Sequence, residues 1–290
     1  MHDFVVPEVV LSSGERMPLI GKGSGGSPLP PLDVLISILM EAIKVGYHHF
    51  DTAALYGSEE ALGQAVAEAL DQGLVKSRNQ IFITTKLWCT NTHPDLEARV
   101  RVCGSVFHWP VRLKEGTEGF DAKGKVLSFD IKGTWKAVEE CSKLGLAKSI
   151  GVSNFGTKKL SELLLHATIP PAINQVEMNV AWQQEKLRGY CREKGIQVSA
   201  WSPLGANGAF WGTLAVVESP VLKEIAIAQG KTVAQQGATV IVKSFNKERM
   251  KKNLQILEWE LSKEDLDKIK FQIPQRIGCP VTYSFPRMAL

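Results

Sequence analysis

Residues 46–63 read GYHHFDTAALYGSEEALG, and the fold turns on how this stretch divides. Tyr47 to Phe50 is a short, aromatic-containing run of the kind that forms a buried strand. Asp51, Thr52 and Ala53 lead out of it. Ser58 then stands in an N-cap position, with Glu59 and Glu60 where the dipole of a helix start favours negative charge. Ala61, Leu62, Ala65, Val66, Ala69 and Leu70 follow at helical spacing. Asp51 and Tyr56 therefore fall on the loop between a strand and the helix after it. Taken alone, an aspartate there is also ordinary turn chemistry.

Outward from this stretch, the same strand-then-helix unit recurs. Val9–Leu11 and Arg16–Pro18, with SSGE between them, suggest a small hairpin. Strands are expected at 18–23, 47–51, 80–86, 105–108, 148–153, 172–176, 197–202 and 238–244. Helices are expected at 32–45, from Ser58 to about residue 70, and at 131–144, 157–166, 184–194 and 220–229, with closing helices at 247–254 and 262–268. Long loops cover 111–129 and the stretch after Ser202 up to Ser219. Eight alternations with Val/Ile-rich strands argue for an α/β fold of the closed parallel (β/α)8 type, a TIM barrel behind an N-terminal β-hairpin. The 290 residues suit one such domain, which typically runs to ~250 residues. Gly21, Gly23, Gly25 and Gly26 lack the GxGxxG spacing, and no helix opens directly after them, which argues against an open doubly wound nucleotide fold.

Composition narrows the function classes. The hydrophobic share of 44% and charged share of 22% are those of an ordinary globular chain. A net charge of +4, spread rather than clustered, argues against nucleic acid and membrane surfaces as partners. No apolar run approaches the ~20 residues of a membrane span, and the N-terminus shows no basic-then-apolar leader pattern. Five cysteines without a CxxC suggest a reducing, cytoplasmic setting. No GxSxG and no His–carboxylate pairing at ligand spacing occur, so hydrolase and metal readings are remote. No apolar stripe demands a partner, so the expected state is a monomer.

The ends of the strands are where polar residues collect. They carry Asp51, Lys86, His108, Ser153 with Asn154, Gln175, Trp201 with Ser202, and Lys243 with Ser244. In a barrel these ends converge on one rim, the one that houses active sites. Each has a bland reading, such as a solvated lysine or a core histidine. Their recurrence at matching positions does not.

These residues carry a family resemblance. GYHHFDTAALYGSEEALG, FITTKLW (82–88), HWP (108–110), IGVSNF (150–155), INQVEMN (173–179), SAWSPLG (199–205) and VKSFNKERMKKNL (242–254) together resemble the aldo-keto reductases, over residues 9–274. The wording resembles plant reductases of specialised metabolism, of the codeinone, chalcone and methylecgonone reductase kind. The resemblance implies NADPH-dependent reduction of a ketone or aldehyde in a small-molecule substrate, with Tyr56 as general acid and Lys86, Asp51 and His108 around it. A tyrosine with a reference pKa of about 10 stays protonated near neutrality, and a neighbouring Lys86 favours its phenolate. The resemblance places Ser153, Asn154 and Gln175 on the nicotinamide carboxamide, with Trp201 stacked on the ring. Lys243, Ser244 and Arg249 fall on the 2′-phosphate and Asn253 on the adenine. Gly23, Ser24, Asp51, Ser202, Leu204, Phe245 and Asn246 complete the expected cofactor contacts. Trp88, His108, Trp109 and Trp211 are the expected substrate wall.

Three stretches depart from the family pattern. The segment from Leu96 to His108 is short for a helix plus a strand. The junction of Gln235 and Gln236 omits most of a helix. The tail after Gln275 differs from the usual loop over the substrate mouth. These gaps leave a second reading open, a catalytically impaired paralogue or splice form that at most binds NADPH.

Overall fold

A computed structural model describes residues 6–92, 106–119, 122–207, 209, 212–229, 239–257 and 260–276. The chain opens with the expected hairpin, β1 (Glu8–Val10) paired antiparallel with β2 (Arg16–Pro18). Its Leu11 and Met17 are buried against Ala172 and Ile173, at the start of a barrel strand, so the hairpin closes the end of the barrel away from the rim. The barrel strands follow in chain order. They are β3 (Ile20–Gly23), β4 (His49–Asp51), β5 (Phe82–Thr84), β6 (Lys86–Leu87) and β7 (Val106–Phe107). After a small hairpin, β8 (Arg112–Leu113) and β9 (Val126–Leu127), come β10 (Gly151–Ser153), β11 (Ile173–Glu177), β12 (Gln197–Trp201) and β13 (Thr239–Val242). All barrel pairings are parallel, in the order β5-β4-β3-β13-β12-β11-β10-β7-β6. Because β5 and β6 are successive pieces of one strand, the ladder begins and ends on the same strand. The ring is closed.

Helices α1 (Leu32–Lys44), α2 (Glu59–Asp71), α3 (Ile131–Lys143), α4 (Thr157–Leu164), α5 (Glu185–Glu193), α6 (Pro220–Gln229), α7 (Lys247–Leu254) and α8 (Lys263–Gln272) accompany the strands. Leu35, Leu39 and Ile43 of α1 and Leu62 and Val66 of α2 bury against Ile20 and Phe50. Each such side chain contributes roughly 1.5–3 kcal/mol on burial. On the other half, Trp135 of α3 packs with Phe107 and Val138 and donates its indole N–H to the Ile169 carbonyl at 3.0 Å. Asp130 caps α3 by accepting from the Gly133 amide at 2.9 Å.

Four local expectations change. The run read as one strand from Gln80 to Lys86 breaks at Thr85, and Gln80 belongs to a 3₁₀ turn. The break lets one piece pair with β4 and the other with β7. Ser58 keeps its N-cap position but makes no capping bond. Its hydroxyl is drawn instead to Ser24 Oγ at 2.7 Å and Thr52 Oγ1 at 2.8 Å. The loop expected over 111–129 contains the β8–β9 hairpin, too short to leave a periodic signature. Strand β13 ends at Val242, not Ser244, so Lys243 and Ser244 lie just beyond it.

Of the shortened stretches, 93–105 and 230–238 lie outside the described residues, as does the tail from 277. The strands that follow are in place. Val106 pairs with both Lys86 and Gly151, and β13 pairs with both β12 and β3. Among the described residues, no helix is long and apolar enough to cross a membrane.

One glycine inside the ring is required by space. A Cβ on Gly21 would stand 2.5 Å from Ile241 Cδ1 and 2.9 Å from His49 Nδ1. His49 cannot retreat, since it bridges the Pro18 carbonyl and Thr84 Oγ1, both at 3.1 Å. Gly21→Ala should therefore destabilise the fold by about 1–3 kcal/mol, the range for overpacking, read from urea denaturation midpoints. A neutral result would mean that the interior is looser than these contacts imply.

Candidate active site

The register of the ring sets the site. Asp51 ends β4 level with Gly23 and Thr84, and Lys86 stands at the head of β6 opposite Val106. The Lys86 ammonium donates to both Asp51 oxygens at 2.6 and 2.7 Å and to the Thr52 carbonyl at 3.1 Å. Both side chains are buried. Burial opposes the charge on Lys86, but the Asp51 carboxylate and the Tyr56 hydroxyl together outweigh it and raise its pKa. Across the barrel, Gln175 Nε2 donates to Asp51 Oδ2 at 2.7 Å. The carboxylate is thus held from two directions.

Tyr56 closes a 3₁₀ turn, Ala54–Tyr56, that ends on Gly57 with φ 67°. A Cβ on Gly25 would lie 3.2 Å from the Tyr56 ring, so that glycine is the seat on which the ring rests. Lys86 Nζ is 5.0 Å from the ring centroid and hydrogen-bonds the phenol. Burial raises the Tyr56 pKa, and Lys86 offsets only part of the rise. The effect expected of Lys86 is present, but burial is the larger force. The phenol is a proton donor at neutral pH.

His108 follows β7, its amide bonded to the Leu87 carbonyl at 3.1 Å. Its ring meets Tyr56 edge-on at 5.4 Å and Trp88 at 5.1 Å. Burial, with the Lys86 charge beside it, holds its pKa well below the ordinary histidine range. The neutral ring can still donate one N–H, and Nδ1 is buried without a partner among the described residues. Asp51 at the end of β4, Tyr56 in the turn after it, Lys86 at the head of β6 and His108 just after β7 meet in one place.

The residues expected at the nicotinamide also come together. Ser153 Oγ donates to the Gln175 carbonyl at 2.7 Å. Asn154 donates to the His108 carbonyl at 2.8 Å and accepts from the Trp201 indole at 3.2 Å. Asn154 (φ 64°) and Ser202 (φ 51°) adopt left-handed backbone directly after β10 and β12. Such non-glycine conformations cost about 1–3 kcal/mol each and concentrate at functional sites. Ser24 Oγ holds the Asp51 carbonyl at 2.9 Å, and Leu204 is half-exposed on the same rim.

Further round, Lys243, Ser244, Phe245 and Asn246 lead from β13 into α7. Asn246 is the N-cap and accepts from the Arg249 amide at 3.0 Å. Among the described residues, neither Lys243 nor Arg249 has a carboxylate partner. Two free cations beside a serine and a helix start form a donor set for a phosphate. Asn253 hydrogen-bonds the Tyr47 hydroxyl.

Trp88 and Trp109 form a buried apolar cluster with Cys89, Val111, Leu113 and Ala122, and Leu55, Val126 and Trp201 pack against it. The β8–β9 hairpin thus supplies part of the wall beside Tyr56 and His108. Trp211 lies outside the described residues. The sequence reading did not single out Gly25, the Thr52 carbonyl, the Gln175–Asp51 bond or the β8–β9 hairpin. Only Gly25 left a signal, as one of four glycines after the first strand. Among the described residues, no group of three His, Cys, Asp or Glu is placed to hold a metal ion.

The chain is similar to known proteins along most of its length. The model of the Aldo/keto reductase family matches residues 23–213. The chain is 53% identical to Protein REDOX 2 of Catharanthus roseus over 294 residues, covering 94% of this chain and 91% of that protein. It is 53% identical to Rhazimal reductase 2 of Alstonia scholaris over 292 residues, covering 93% and 90%. It is 48% identical to NADPH-dependent codeinone reductase 1-4 of Papaver somniferum over 290 residues, again covering 93% and 90%.

Proposed function

The chain belongs to the aldo/keto reductase family, and on that premise we propose that Tyr56, Lys86, Asp51 and His108 carry out its chemistry. The reaction is the NADPH-dependent reduction of a ketone or aldehyde to the alcohol. The observation that carries the residue assignment is the buried Asp51–Lys86 pair at 2.6 Å, with its ammonium 5.0 Å from the Tyr56 ring. NADPH, when bound, supplies the hydride. Tyr56 gives its hydroxyl proton to the carbonyl oxygen. Lys86 steadies the phenolate left behind, and Asp51 keeps Lys86 charged and aimed. Neutral His108 orients the carbonyl by donating an N–H to its oxygen. The field is set before substrate arrives, which is how such sites lower a barrier.

The residues present fit the cofactor. Lys243, Arg249 and Ser244 would hold the 2′-phosphate, and Asn253 the adenine. Ser153, Asn154 and Gln175 would hold the carboxamide, with Trp201 against the ring. Gly23, Ser24, Ser202, Leu204, Phe245 and Asn246 line the same rim. Trp88, Trp109 and Leu55 suit a bulky apolar substrate, as the rhazimal and codeinone in the relatives' names suggest. We take the chain to work as a single barrel domain and a cytoplasmic monomer, its cysteines 89 and 191 being buried free thiols. The closed ring and the intact Asp51–Lys86 pair weigh against an impaired chain.

The test is titration with each cofactor, followed by quenching of tryptophan fluorescence, then turnover of a nitrobenzaldehyde. Saturable quenching by NADPH, much weaker with NADH, is expected. A charge-assisted bond contributes roughly 1.5–3 kcal/mol, so Arg249→Ala should weaken NADPH binding ~10–100-fold and leave NADH binding nearly unchanged. Equal weakening of both would remove Arg249 from the phosphate site.

A further inference from the structure

One fully buried lysine lies beside this phosphate grip and has no part in the mechanism above. Lys22, on β3, is 0% exposed. Ile20, two residues earlier on the same face of the strand, belongs to the core between sheet and helices. Among the described residues, the Lys22 ammonium has one hydrogen bond, to the Gly23 carbonyl at 2.8 Å, and no carboxylate partner. Lys22 pairs in register with Val242, so the neighbouring strand releases Lys243, Ser244 and Phe245 at its level. Lys22 Nζ is 5.0 Å from the Phe245 ring centroid, and Lys243 Nζ is 4.8 Å from the same point. An unpaired ammonium in such a place is costly. Burial, and then the like charge of Lys243, lower its pKa to about 7.

Most charged groups on the adjoining elements are engaged elsewhere; Asp33 and Lys44, near the two ends of α1, and Lys252 of α7 have no carboxylate or ammonium partner among the described residues. Asp51 of β4 holds Lys86, and His49 of β4 is bonded to Pro18 and Thr84. Glu41 of α1 holds Lys247 of α7 at 2.7 Å, and Glu248 of α7 holds Lys251 at 3.5 Å. Among the described residues of β3, α7 and the turn between β13 and α7, the cations without a carboxylate partner are Lys22, Lys243, Arg249 and Lys252, and Lys252 lies one turn further along α7.

We propose that Lys22 is a cofactor-selecting residue, a buried cation that takes up a proton when the 2′-phosphate of NADPH binds beside Lys243. The proposal rests on the reading of Lys243, Ser244 and Arg249 as the phosphate grip. A nearby dianion favours the ammonium form. Binding that raises a group's pKa takes up protons, and affinity then falls as pH rises from the free value to the bound one. NADPH affinity is therefore highest where Lys22 is already charged and declines through mildly alkaline pH. NADH lacks the dianion and shows no such decline.

The test is calorimetric titration of the full chain with NADPH and with NADH at about pH 8, in two buffers of different ionisation heat. The 2′-phosphate, with a pKa of about 6, is fully ionised there and releases nothing. Wild type should take up a substantial fraction of a proton with NADPH and little with NADH. Lys22→Met should abolish the difference and weaken NADPH binding about tenfold near neutral pH, one pKa unit being a factor of ten, with NADH affinity unchanged. NADPH preferred over NADH without proton uptake would overturn the role of Lys22 and leave the grip standing. No preference between the two cofactors would sink the grip itself. If Lys22→Met fails to fold, the wild-type proton count decides alone.

Discussion

Replacement of Tyr56 by phenylalanine should reduce carbonyl turnover by about 10²–10⁴-fold, the contribution of a positioned general acid, with NADPH binding nearly intact. The change deletes one hydroxyl and keeps the ring that Gly25 seats and His108 meets edge-on. Binding and fold are thus preserved while the proton source is removed. The pH profile should follow. Burial holds the Tyr56 pKa above its usual value, so the acid stays protonated through neutral and mildly alkaline pH. Loss of reduction through Tyr56 ionisation should therefore appear only at a pH above that at which an ordinary tyrosine ionises. Rapid mixing with NADPH and an aromatic aldehyde, compared with the fluorescence titration, separates chemistry from binding. Parallel loss of turnover and NADPH binding in Tyr56→Phe would strip Tyr56 of the acid role.

The second large effect is expected at Lys86. Lys86→Met removes the ammonium from a pair whose side chains are 1% and 5% exposed and leaves the Asp51 carboxylate buried, with Gln175 as its remaining side-chain partner. Breaking a buried pair from one side costs about 3–5 kcal/mol, a large share of the ~5–15 kcal/mol that holds a typical domain together. The double variant Lys86→Met with Asp51→Asn should recover much of that loss, because the uncompensated charge is gone. Neither variant should recover turnover, since Tyr56 loses the cation that steadies its phenolate. Urea unfolding of the four proteins gives the coupling directly. A Lys86→Met chain as stable as wild type would show that the Asp51–Lys86 pair adds nothing to stability.

Much of this was legible in the sequence because it is a local property of the chain. Alternating strand and helix periods set the order of the elements, and polar residues at the ends of apolar strands marked one rim. Asp51, Lys86, His108, Asn154, Gln175 and Lys243 could be placed there from position alone. Where short-range rules met competition, they failed. Ser58 has the capping residue type, yet its hydroxyl is taken by Ser24 and Thr52. The run from Ile81 to Thr85 is all β-forming residue types, yet it breaks at Thr85, one piece pairing with β4 and the other with β7 as the ring closes.

The sequence by itself determined the barrel, its rim and the identity of the residues upon it, since each follows from periodicity within one strand–helix unit. Which of them touch was decided only by tertiary structure. Gln175 reaches Asp51 across 124 residues of chain. Gly25 seats Tyr56, and Lys22 lies buried beside Lys243 because β3 and β13 are neighbours where the ring joins its first strand to its last. Such contacts depend on the register and closure of the whole sheet, and no window of neighbouring residues carries them.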